Sequence, residues 1–168
     1  GSYFPKPSPN GICVKQVASE LKNREIEVTI LATKSRGLTD SEIIDSVIVH
    51  RIKPRLFQRM VEWCDSNRNV KLSHIFRKIA LIINKINNIL FFPLWPLVSP
   101  LYTYRYYKKA KELHEKNKYD GILCVYTPID ALIAGSLMKK KYKDITLMFY
   151  FLDTLSGGVA PKLFSRRW

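Results

Sequence analysis

The sequence predicts an α/β fold in which a parallel sheet is flanked by helices, and three observations point that way. Four short runs, IEVTILAT (26–33), SVIVHRI (46–52), YDGILCVYTP (119–128) and ITLMFYFLD (145–153), are almost continuous in apolar and β-branched residues. That is the pattern of strands covered on both faces. Val14, Val17, Ala18 and Leu21 recur at helical spacing before the first run, and Leu132, Ile133, Leu137 and Met138 form a second helical stripe between the last two. Strands alternating with helices of about a dozen residues are the mark of right-handed βαβ units. The length, 168 residues, suits one domain around one core.

Taken in order, the chain opens with turn formers, PSPNG, that lead into the first helix. Asn10 and Gly11 stand at its head, where free backbone N–H groups and the positive end of the helix dipole suit a diphosphate. An ordinary Asn-Gly turn or helix cap accounts for the same two residues. The third run ends at Tyr126 and Thr127, with Asp130 just beyond, and the fourth ends at Asp153 and Thr154. Carboxyl ends of strands are where open α/β sheets bind ligands. A carboxylate there can orient an acceptor hydroxyl or take its proton, although Asp and Thr also cap helices.

The charge sits in the middle. The chain carries 28 Lys and Arg against 14 Asp and Glu, a net charge of +14. Fifteen of the cations and only four of the acids fall between Arg51 and Lys118. Such a surplus calls for a polyanionic partner: lipid headgroups, nucleic acid or phosphorylated substrate. Within this stretch Ile75, Ile79, Ile82, Ile83, Ile86 and Ile89 share one helical face, while Arg77, Lys78, Asn84, Lys85 and Asn88 fall largely on the other. The helix runs into LFFPLWPLVSPLYTY, where Phe91, Phe92, Trp95, Tyr102 and Tyr104 gather around three prolines. Lys85 and the prolines interrupt any stretch of about 20 apolar residues, so a membrane span is not predicted. A helix lying in the membrane interface is, with cations on phosphates and aromatics at headgroup depth, and Arg105, Lys108 and Lys109 extending the same surface. The alternative is a helix that packs its isoleucines on the sheet and solvates its charges.

Other chemistries find little support. Cys13, Cys64 and Cys124 lack the spacing of a zinc site, and His50, His74 and His114 have no Ser or Cys partner at a suggestive distance. There is neither a Walker loop nor a GxGxxG. No metal or cofactor is expected.

Three segments resemble the N-terminal domain of family-4 glycosyltransferases, which have the GT-B fold of two Rossmann-like domains facing a cleft. They are YFPKPSPNGICVKQVASELKNREIEVTILAT, KYDGILCVYTPIDALIAGSLMKKKYKDITLMFY and FLDTLSGG. They are similar to the family's proline loop and first helix, its strand–helix–strand before the cleft, and its acidic strand end. The resemblance implies that residues 1–168 form a single Rossmann-like acceptor-side domain with a basic, aromatic insertion at about 54–110. It implies a retaining sugar transfer from a nucleotide-sugar donor to a lipid-linked or polysaccharide acceptor, in bacterial capsule or exopolysaccharide synthesis. Asp153 is then the catalytic candidate, Asn10 and Gly11 face the donor phosphates, and Tyr126, Thr127, Asp130 and Thr154 form the acceptor rim. Leu152 stands where many members carry a His. The family's opening apolar strand is expected to end before Tyr3, and the donor-binding domain with its Glu-x7-Glu pair has no counterpart in this chain, which alone is expected to be inactive. The implied location is the cytoplasmic face of the cell membrane, held peripherally. Nucleic acid is the less favoured partner, its case resting on charge alone.

Overall fold

The computed structural model describes residues 3, 9–70, 72–94, 97, 99–126 and 128–151. Its elements are α1 (Pro9–Asn23), β1 (Thr29–Thr33), β2 (Ser41–Ile44), β3 (Val47–Ile52), α2 (Leu56–Ser66), α3 (Ser73–Leu90), α4 (Pro100–Asn117), β4 (Gly121–Val125), α5 (Ile129–Lys141) and β5 (Thr146–Tyr150). The chain is α/β, and each of the four apolar runs contains a strand.

Among the described residues the strands form two sheets where one was expected. The first has the order β1-β3-β2, with β1 and β3 parallel and β2 antiparallel to β3. The second pairs β4 with β5 in parallel. Between the first two runs the chain forms β2 and a two-residue turn, a strand not among those the sequence predicts. Asp45 and Ser46 both have positive φ, 50° and 62°, the conformation whose twist suits a tight hairpin. Ser46, expected inside a strand, is therefore a turn residue. By contrast β4-α5-β5 is the predicted parallel unit with a helical crossover.

The alternation of side chains along β1 and β3 lets helices cover both faces of the first sheet. Ile30, Ala32, Val47 and Val49 share a buried cluster with Ala18 of α1 and with Tyr3. On the opposite face, Leu31 and Ile52 meet Tyr102 and Tyr106 of α4 and Ala131 and Ala134 of α5. Tyr102, in the aromatic start of α4, is thus core, 2% exposed. This corrects the placement of Tyr102 at headgroup depth, because Tyr102 and Tyr106 pack between the sheet and α5, whereas Tyr104 is 56% exposed.

The crossover helix α5 approaches β4 very closely at Gly135. A Cβ there would lie 2.2 Å from Cys124 Sγ and 3.1 Å from Leu147 Cδ1. Gly135→Ala, which in a free helix gains about 1 kcal/mol, is expected instead to destabilise this fold by about 2 kcal/mol through overpacking. Urea unfolding followed by circular dichroism measures it. Cys124→Ala/Gly135→Ala, with the sulfur removed, should recover part of the loss, and an additive double variant would show that the crowding lies elsewhere.

Candidate functional site

Of the rim residues predicted at the end of β4, Asp130 lies in a buried polar cluster. Asp130 lies in the first turn of α5 and is 0% exposed. Its carboxylate accepts from Arg55, which precedes α2, and from Thr103 Oγ1 of α4 at 3.0 Å. The Arg55 guanidinium also lies 5.0 Å from the centre of the Tyr102 ring, a cation–π distance. From there the network continues to β1, where Thr33 Oγ1 is 2.6 Å from Tyr102 Oη and 3.0 Å from Tyr106 Oη. Burial pushes the Tyr102 phenol above its ordinary range and the Tyr106 phenol well above it, so both stay protonated at neutral pH. The arrangement joins α2, α4, α5 and β1. Within it Asp130 is held by side chains of its own chain.

The remaining predicted residues scatter. Tyr126 is buried with its ring 5.9 Å from Phe151. Asn10 and Gly11 lie within the first turn of α1, which begins at Pro9; Gly11 is buried. Thr127, Asp153, Thr154 and Trp95 lie outside the described residues. Among the described residues no group of His, Cys, Asp and Glu is placed to hold a metal.

The predicted membrane surface divides more clearly. α3 packs against α2 through its small residues: Ser73 and Ala80 are its buried positions, Trp63 meets Phe76 edge-on at 5.4 Å, and Arg77 bonds Asp65 at 2.8 Å. The isoleucine stripe is left bare except at Ile83, which is half-buried. Ile75, Ile79, Ile82, Ile86 and Ile89 are all exposed, Ile89 to 65%, and Leu90 beyond them is exposed as well. Lys78 and Lys85 flank the stripe, exposed, and Lys108 on α4 is exposed too. Phe91 and Phe92 are half-buried at the helix end. Three of the cations named for this surface are engaged within the fold: Arg77 with Asp65, Arg105, which donates to the carbonyls of Lys53 and Pro54 at 3.3 and 3.2 Å, and Lys109, which pairs with Glu112 at 2.6 Å. The isoleucines therefore do not pack on a sheet, the alternative open from periodicity alone. None of the described helices is long and apolar enough to cross a membrane.

Comparison with protein-family profiles, curated proteins and solved structures yields no match.

Proposed function

We propose that this chain is the acceptor-side domain of a GT-B glycosyltransferase acting on a lipid-linked or polysaccharide acceptor at an anionic membrane surface, with the nucleotide sugar held by a second domain. The bare stripe of α3 carries the membrane part of this reading. Isolated exposed apolar residues are ordinary, but a continuous apolar helix face marks an interaction surface. A helix with isoleucines on one side and Lys78 and Lys85 at the borders of the stripe matches what an interfacial helix needs. Each cation near an anionic leaflet adds about 1 kcal/mol.

The transferase part draws its support from the sequence resemblance and from architecture. Two parallel strand pairs, with α1 and α4 on opposite faces of the first, are compatible with a Rossmann-like sheet. In that arrangement ligands meet the carboxyl ends of the strands, and Asp153 follows the end of β5 in sequence.

Two measurements test the parts separately. The chain should co-sediment with vesicles containing phosphatidylglycerol and much less with phosphatidylcholine vesicles; tight binding to single-stranded DNA without vesicle binding would overturn the membrane reading. The product of the whole reading frame should move radiolabel from a nucleotide sugar into a lipid or polysaccharide fraction. If a panel of nucleotide sugars gives neither transfer nor binding, the domain is a scaffold without chemistry.

A further inference from the structure

We propose that the cleft between the β1–β2 connection and the α2–α3 hairpin seats the phosphate end of a lipid-linked phosphate. The inference deepens the reading above: it relies on the membrane face of α3 for the direction from which the ligand comes, and it names the acceptor's chemical class.

The cleft has a volume of about 590 Å³ and lies where β1 and β3 end. Lys34 directly follows β1 and Lys53 directly follows β3, and the Lys34 N–H donates to the Ile52 carbonyl at 2.8 Å. This is the carboxyl edge of a parallel pair, the usual ligand side of such sheets. Lys34, Arg36, Lys53 and Arg59 line it against a single acid, Glu62. Asp40 bonds Lys34 at 2.7 Å, and that bond holds the Asp40 carboxyl below its usual range. Arg36, Lys53 and Arg59 make no ion pair among the described residues. The first turn of α2 borders the cleft with no acidic residue to offset its positive end. Gly37, at φ 82° with open space where a Cβ would project, turns the loop that carries Arg36.

The other wall is apolar: Leu56, Met60, Trp63 and Phe76. Leu56, Trp63 and Phe76 are exposed, and Phe76 belongs to α3, one residue from Ile75 and three from Ile79. The apolar wall therefore continues into the bare isoleucine face. A free phosphate would satisfy the cations and leave this wall wet, and an uncharged lipid would cover the wall and leave the surplus of lining cations over Glu62 uncompensated. An amphiphile with a phosphate or diphosphate head and a hydrocarbon tail satisfies both.

The test is isothermal titration of the full chain with farnesyl diphosphate below its micelle concentration, beside inorganic diphosphate, farnesol and uridine diphosphate. Farnesyl diphosphate should bind about tenfold or more tighter than any of the other three, and Arg36→Ala/Arg59→Ala should weaken it by about tenfold for each cation removed. Trp63→Ala should weaken farnesyl diphosphate and leave inorganic diphosphate unchanged. All three residues border solvent, so circular dichroism should show folded variants. Equal binding of inorganic diphosphate or uridine diphosphate would overturn the proposal, as would indifference to the arginine substitutions. Ile86→Glu/Ile89→Glu, at exposed positions at least ten residues along α3 from Phe76, separates the two readings: it should abolish vesicle binding and leave monomeric farnesyl diphosphate binding intact. Vesicle binding without farnesyl diphosphate binding sinks the cleft alone; the reverse sinks the membrane face alone.

Discussion

Asp130→Ala is expected to lower the unfolding free energy by about 3 kcal/mol, because removing one member of a buried ion pair leaves an uncompensated charge. Arg55 would remain with its guanidinium largely enclosed, and Thr103 Oγ1, buried on α4, would lose its acceptor. The effect should reach beyond α5, since Arg55 immediately precedes α2 and the same guanidinium stacks on Tyr102. Asp130→Asn keeps an acceptor for Thr103 but not the charge, and is expected to cost less. Urea unfolding at neutral pH decides the matter. A residue that served an acceptor at an open rim would change stability by only about 0.5 kcal/mol or less on truncation. That outcome would return Asp130 to the rim; the larger loss fixes it as the pin between α2, α4 and α5.

Asp130 also marks the boundary of what the sequence made legible. Its position after an apolar strand was plain, and so was the ligand-binding role that such a position carries in open sheets. Its partner Arg55 is 75 residues away, and no local pattern encodes a pairing at that distance. The four strands were visible because burial on both faces leaves an uninterrupted apolar signature. β2 was not: SEII is half-exposed in alternation, and its turn, Asp-Ser, lacks the Asn-Gly or Asp-Gly that announces a hairpin. Missing that strand turned a mixed three-stranded sheet into part of an all-parallel one. The start of α4 misled for a different reason. Tyr102 and Tyr106 are amphipathic, equally at home in a headgroup layer or a core, and the structure places them in the core with their hydroxyls on Thr33. Periodicity also identified the apolar face of α3 but not what lies against it, since a stripe looks the same whether covered or bare.

That bare stripe gives the second large effect. Ile79→Glu/Ile82→Glu/Ile86→Glu is expected to weaken binding to phosphatidylglycerol vesicles by about a hundredfold or more. Three isoleucines withdrawn from an apolar phase account for that factor even if each contributes only about 1 kcal/mol, half or less of full burial, and the new carboxylates are repelled by the anionic surface. The same triple variant should leave the unfolding free energy within about 0.5 kcal/mol of the parent, as exposed substitutions do, because α3 is anchored to α2 through Ala80, Phe76 and the Arg77–Asp65 pair and not through the stripe. The two readouts must be taken on the same preparation. Lost stability with unchanged vesicle binding would mean that the stripe is covered within the protein, and the membrane reading would fall with it. Lost vesicle binding at unchanged stability assigns the isoleucines to the membrane and leaves α2 and the cleft beside it in place to meet whatever the membrane presents.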